Sequence, residues 1–283
     1  MTRARSLERH LMASMPAGGY SVEPLSPSER AAFRSAMIAE RVRVGFSACT
    51  APLLTPPANN PKLKKSGTYG LSLAAAGLSG AWQVCRYRTE GCESVCLESA
   101  GKGGLDSVQR GRVWKTRLLG AEPELFIRAL ADEIRRAVDR RPLDSLGRRH
   151  GRVPVRLNVL SDLPHERWIP ALFTDPSLRA VQWYDYSKNP TRTPPANYHL
   201  TFSASERTAD ADLVAAAGIY GTVAVVFSTR RGQALPADYA GLPVVDADLS
   251  DSRWRDPVGT ISGLRAKGAA VGDDGGGFVR MVA

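Results

Sequence analysis

Three thiols lie close together in the chain: Cys85, Cys92 and Cys96, spaced C-x6-C-x3-C, with the polar residues Arg86 to Gly91 filling the first gap. A cysteine packed as core sits among apolar neighbours, whereas thiols in a polar loop are free to bind metal. Three thiolates can hold three irons of a 4Fe-4S cluster and leave the fourth iron open to a substrate or cofactor. The same set can bind zinc, with a fourth ligand from Cys49, His150, His165 or His199. Three reduced thiols in a tight loop are the plain alternative. The spacing predicts a metal centre at Cys85, Cys92 and Cys96, with an iron–sulfur cluster preferred to zinc.

A second set of chemical groups recurs after strand-like runs. The run 153–160 carries Arg156 and Asn158 and leads to Ser161 and Asp162; the run 180–186 leads through Asp185 and Tyr186 to Ser187, Lys188 and Asn189. The runs 198–202, 222–227 and 243–245 lead to Ser203, to Ser228 and Thr229, and to Asp246, Asp248, Asp251 and Arg253. In parallel α/β folds the chemistry gathers at the carboxyl ends of the strands. Turns need Asp, Asn and Ser in any case, so one polar end means little. A succession of them predicts one polar mouth. There Asp162 and Asp185 divide the work of base or nucleophile and orienting partner, beside Asn158. Lys188 favours the ionised form of Asp185 and can hold an anion. Arg156, Tyr186, Ser203 and Arg253 are the substrate-binding candidates. His199 and Tyr184 lie inside strand runs and read as core, with base stacking the alternative for Tyr184 as for Tyr186. Asp246, Asp248 and Asp251 lack the glycine and glutamate of a calcium loop. No glycine-rich nucleotide fingerprint, His-Glu-x-x-His or Gly-x-Ser-x-Gly element is present.

The chain has 283 residues and a formal net charge of +10. Between Lys102 and Arg156, fourteen Lys/Arg face seven Asp/Glu, so most of the surplus is local. A local excess of that kind suits a polyanion, and the partner expected is nucleic acid, DNA before RNA. Arg135, Arg136, Arg140, Arg141, Arg148 and Arg149 are the candidate phosphate contacts. The bland account is that several of them complement the end of a helix dipole. No apolar run reaches membrane-spanning length, and the first residues carry arginines without an apolar block, so a cytoplasmic location is expected.

The elements that must position these groups are partly legible. Ser26, Pro27 and Glu29 form a capping box that starts a helix running to about residue 39. Pro123 opens another, with Phe126, Leu130, Ile134 and Val138 on one face. The proline-rich stretch 55–61 predicts an extended loop before a strand near 69–74. Further runs at 260–264 and helical candidates at 166–173 and 209–217 complete a strand–helix rhythm that argues a parallel sheet with helices on its faces. The expected fold is α/β, a TIM-type barrel or partial parallel barrel with helices outside and an N-terminal arm; an open doubly wound sheet is the competitor. The expected division is an arm and helix over 1–58, then a barrel-like catalytic domain over 59–283 with the cysteine loop 85–96.

Several motifs in order resemble one family. They are Asn60 to Ser66 with Lys62, Lys64 and Lys65; Leu71 to Leu73 with Ser79 and Gly80; the three-cysteine loop; Val155 to Asn158 with Ser161 and Asp162; Tyr184 to Asn189; Tyr198 to Ser203; and Asp251, Arg253, Asp256 and Pro257. Together they resemble the actinobacteriophage gene product 88 family. The resemblance implies a phage, prophage or plasmid context and no particular activity. A looser likeness to radical S-adenosylmethionine barrels implies possible use of S-adenosylmethionine, against a departure from their C-x3-C-x2-C spacing. A likeness to base-exchanging transglycosylase barrels implies zinc and an aspartate nucleophile. The function expected is a phage-type iron–sulfur enzyme acting on a nucleic acid or nucleotide; the alternatives are a zinc-containing DNA base transglycosylase and a non-enzymatic nucleic-acid-binding protein with a structural metal.

Overall fold

The computed structural model describes residues 4–59, 61–272, 274 and 276–282. Asn60 of the Asn60 to Ser66 motif lies outside them. The strands, in chain order, are β1 (Arg5–Ser6), β2 (Leu54–Thr55), β3 (Tyr69–Leu71), β4 (Trp82–Gln83), β5 (Val153–Arg156) and β6 (Val181–Ser187). They continue with β7 (Tyr198–Ser203), β8 (Thr222–Phe227), β9 (Asp238–Tyr239), β10 (Leu242–Asp246), β11 (Thr260–Arg265) and β12 (Val279–Arg280). All but β1 and β4 join a ten-stranded sheet in the order β2-β3-β5-β6-β7-β8-β11-β10-β9, with β12 also on β8. The fold is therefore α/β with a mostly parallel sheet. From β3 to β8 the parallel strands follow chain order, as in a barrel. After β8 the order turns back, and β2 and β9 pair antiparallel at the two ends. No pairing among the described residues closes the sheet into a TIM-type barrel. Both end strands are two residues long, which leaves little edge to template further pairing.

The contacts divide the chain into two compact units. The first holds residues up to Arg86, Asp106–Trp183 and Pro194–Tyr198; the second holds Tyr87–Leu105, Tyr184–Thr193 and His199–Ala283. The boundary expected after residue 58 falls inside the first unit.

In the first unit the helix Pro27–Arg43 opens on the expected capping box: Glu29 N–H donates to Ser26 Oγ and Ser26 N–H donates to Glu29 Oε2. The helix Pro123–Asp139 buries Phe126, Leu130, Ile134 and Val138, as their i, i+4 spacing requires. Pro61 starts a short helix, Pro61–Ser66, where an extended loop was expected, because proline suits a first helical turn as well as a loop. The arm is helical over Leu7–Ser14, where Leu7 and Leu11 are fully buried, and β1 pairs with β4.

Trp82 of β4 packs on His10 at 4.4 Å and under the Arg5 guanidinium at 4.6 Å. It can do so only because residue 120 of the helix Asp106–Ala121 is glycine. A Cβ there would stand 2.1 Å from Trp82 Nε1. Gly120→Ala is therefore expected to cost about 1–3 kcal/mol by overpacking. Gly111→Ala, in the same helix with nothing within 4 Å, is expected to gain about 0.5–1 kcal/mol from helix propensity. Urea unfolding of the two variants checks this; equal effects would remove the tryptophan from the account.

In the second unit the helix Asp210–Tyr220 lays Leu213, Ala216 and Ala217 against Phe202, Val223, Val225, Phe227 and Ile261. Glu206 clips the cysteine loop: its carboxylate accepts from Thr89 Oγ1 at 2.6 Å and Gly91 N at 3.1 Å. Burial raises the Glu206 pKa, but those hydrogen bonds win and hold it below the usual value. No helix among the described residues is long and apolar enough to cross a membrane.

Candidate functional site

Strand alternation gives the sheet of the second unit two different faces. One carries the apolar set that meets the helix Asp210–Tyr220. The other carries Tyr184 and Tyr186 of β6, His199, Thr201 and Ser203 of β7, Thr222 of β8, and Thr260 and Ser262 of β11. Each of these side chains brings a hydroxyl or an imidazole to a surface that an ordinary core would fill with methyl groups.

Residues 250–256 add charge to the polar face. Tyr184 Oη donates to Asp251 Oδ2 at 2.7 Å, and the Tyr184 ring packs on Trp254 at 4.8 Å. Arg253 Nη1 pairs with Asp256 Oδ2 at 2.8 Å, and Arg253 Nη2 donates to Ser250 O. Asp256 Oδ2 also accepts from Ser262 Oγ at 2.7 Å. Thr201 Oγ1 lies 3.3 Å from His199 Nε2 and 3.2 Å from Thr222 Oγ1. Toward the ends of β6 and β7, Lys188 Nζ donates to Ser203 Oγ at 2.7 Å and Ala204 O at 3.3 Å.

Burial sorts these groups into two layers. Asp251 is 0% and Arg253 1% exposed, whereas Tyr186, Lys188, His199 and Ser203 are only partly buried. The inner layer holds charge away from water, and the outer layer is what a ligand can touch. Burial pushes the His199 imidazole below its ordinary pKa; Asp256 pulls it up and Arg253 pushes it down. At neutral pH His199 is therefore uncharged and able to accept a proton.

Of the residues expected at the site, Lys188, Tyr186, Ser203 and Arg253 belong to this face. Asp185 does not: it is wholly buried within β6 and, by alternation, points to the side opposite Tyr184 and Tyr186. Arg156, Asn158, Asp162 and Cys85 lie in the first unit. Asn158 is spent on its own turn. Its Oδ1 accepts from Leu163 N at 2.9 Å and Ser161 Oγ at 2.8 Å, and its Nδ2 donates to Leu163 O at 3.0 Å. With Nδ2 as donor, its 3.3 Å contact to the fully buried His165 Nδ1 makes that nitrogen the acceptor and leaves the ring proton on Nε2. Arg156 donates to Asn158 O and Val159 O, each at 3.3 Å. Asp162 is tied to the cysteine segment: Asp162 N–H donates to Val84 O at 3.0 Å, and Cys85 bridges it as a strand would.

The basic segment is partly engaged inward. Arg135 reaches Asp175 at 2.6 Å, Asp132 at 3.2 Å and Val22 O at 2.7 Å. Arg141 donates to Val138 O and Gly151 O, Arg148 pairs with Asp144 at 3.0 Å, and Arg149 donates to Arg141 O. Arg136 and Arg140 remain simply exposed.

Cys92 sits in the helix Glu90–Ser94, capped by Thr89, and Cys96 follows it; Cys85 Sγ faces Leu160 O at 3.4 Å. Among the described residues, no group of three or more His, Cys, Asp or Glu is placed to hold a metal ion. Asp246 and Asp248 are taken by Arg265 and Lys267.

From sequence His199 reads only as a zinc ligand or core, Tyr184 only as core or a base-stacking ring, and Asp256 only as part of a family motif. The available signal was the charge pattern Asp251, Arg253, Asp256 directly after a strand, facing strands whose alternate residues are hydroxylic. No curated protein and no solved structure matches the chain, and the likeness to radical S-adenosylmethionine barrels finds no support. A family model described as Gene product 88 matches residues 50–280, a span that includes the Asp251 to Asp256 segment and every strand of the polar face, and the chain belongs to that family.

Proposed function

We propose that the protein is an enzyme that performs acid–base chemistry on a nucleotide or nucleic acid at the polar face of the second unit. The observation that carries this reading is the buried charge behind that face. Asp251 and Arg253 are taken almost wholly out of water. A desolvated ion costs several kcal/mol, and a hydrophobic replacement of the same volume is often as stable or more so. Such groups cluster where chemistry needs them.

In this reading His199 is the base and takes a proton from the substrate. Tyr184, its hydroxyl proton held by Asp251, lies fully buried behind the reacting groups and fixes the floor of the face. Burial and Arg253 hold His199 neutral, and Asp256 opposes them and keeps it basic. Lys188 and Ser203 bind an anionic group, in keeping with the net charge of +10.

His199→Gln tests the base. Single-stranded and duplex DNA, RNA and mononucleotides are incubated with the protein, and mass spectrometry follows the product. Turnover is expected to fall by about 10²–10⁴. In the wild type it falls as pH drops through a value below 6.5, and that acid limb disappears in the variant. An unchanged rate and pH profile would remove His199 from the chemistry.

A further inference from the structure

We propose that the turn 228–233 at the end of β8, together with Arg207 and Arg280, holds phosphate groups of a nucleic-acid backbone; this rests on the reading of the neighbouring polar face as a site for such a substrate. Parallel pairing brings these residues to one end of the second unit's sheet. Phe227 is in register with both Arg265 and Arg280, and Ser228 N–H donates to Arg280 O at 2.9 Å. Arg280 Nη2 in turn donates to Ser205 O at 3.1 Å and Thr208 O at 2.5 Å, the turn that carries Arg207.

The carboxylates of this end are already committed. Glu206 holds Thr89 and Gly91, and Asp246 and Asp248 hold Arg265 and Lys267. Among the described residues none of Arg207, Arg230, Arg231 and Arg280 is ion-paired with a carboxylate, and the first three are exposed. Arg207 has the Glu206 carboxylate in its field, whereas Arg230 and Arg231 stand exposed at the strand end without an ion pair among the described residues.

Two buried donors nearby also lack partners among the described residues: Arg280 Nε and Thr229 Oγ1, the latter on a side chain 8% exposed. Unpaired buried polar atoms are uncommon, and a ligand is one of the few things that explains them. The platform is rigid. Arg230 N–H donates to Gln233 Oε1 at 3.0 Å, Gln233 N–H donates to Arg230 O at 3.1 Å, and Gln233 O accepts Arg265 Nη2 at 2.7 Å. A turn fixed this way holds in place the backbone that carries Arg230 and Arg231. Guanidinium groups and a hydroxyl are the donors that recognise phosphate.

The test is fluorescence anisotropy with a labelled single-stranded DNA and the RNA of the same sequence, over a salt series. Reversing Arg230 and Arg231 to Glu should weaken binding at low salt at least tenfold. It should also flatten the log–log salt slope by about 1.4, two phosphate contacts on a single strand. Arg230→Gln with Arg231→Gln should show the same slope change without repulsion. Reversing Arg136 and Arg140 should leave the slope where it was. The tighter of the two nucleic acids identifies the natural backbone. A wild-type slope after the Arg230 and Arg231 changes, or no wild-type binding to either strand at low salt, overturns the proposal. Loss of this surface leaves turnover of a mononucleotide by His199 intact, so the two readings fail separately.

Discussion

Glu133→Ala is expected to lower the unfolding free energy by about 3–5 kcal/mol, while Lys115→Met leaves it within about 1 kcal/mol of the parent at pH 7. Both residues belong to the same buried clip in the first unit. Glu133 Oε1 and Oε2 accept Leu53 N–H and Leu54 N–H, each at 2.9 Å, and Lys115 Nζ donates to Leu53 O at 3.0 Å. The clip ties β2 to the helices Asp106–Ala121 and Pro123–Asp139. Removing the carboxylate leaves a buried ammonium without its countercharge and orphans two backbone donors. Removing the lysine relieves a cost instead. Burial lowers the Lys115 pKa from 10.5 to about 8, with Glu133 pulling it back up and Arg112 and Arg41 adding to the fall. That difference corresponds to a cost of about 3 kcal/mol below pH 8. The folded chain sheds this proton first, so stability rises with pH between about 8 and 10.5 in the parent. Lys115→Met should lack that rise. Urea unfolding across pH measures both effects. Equal losses in the two variants would mean that the clip acts through packing alone.

The parts of the fold that were legible in the sequence are those set by local pattern. The capping box at Ser26, the apolar face from Phe126 to Val138, and the strands near Val181, Tyr198, Thr222 and Thr260 all formed where their spacing placed them. Pro61 shows the limit of local reading, since proline fits a loop and a first helical turn alike. Strand order was not legible, because β11 and β12 reach β8 through pairings far apart in the chain.

The site was half legible for a related reason. Lys188, Ser203 and Arg253 follow from polarity at strand ends. His199 and Tyr184 looked like core because burial is what a strand interior predicts, and the charged segment 250–256 lying on them is what supports the proposed use. Arg135 and Arg141 differ in the opposite sense. Their density suggested a phosphate surface, yet Asp175, Val22 and the loop carbonyls take them inward.

Asp251→Asn is expected to abolish most turnover without unfolding the protein. The carboxylate accepts the Tyr184 hydroxyl at 2.7 Å while fully buried, and Asn keeps an oxygen for that bond. What it loses is the negative charge that aligns and polarises Tyr184, while the buried cation Arg253 keeps its partner Asp256 at 2.8 Å. In a low-dielectric site, loss of such a group costs about 10²–10³ in rate. For the fold alone the exchange is nearly neutral, because a buried charge is expensive to keep. Turnover and the thermal midpoint measured on one preparation of Asp251→Asn decide the matter. A fall of at least a hundredfold in turnover, with the midpoint unchanged or higher, is the result predicted if the buried charge serves a reaction. Full turnover, or a midpoint lowered by several degrees with the folded fraction still fully active, would show that Asp251 serves only the fold and that the reaction lies elsewhere.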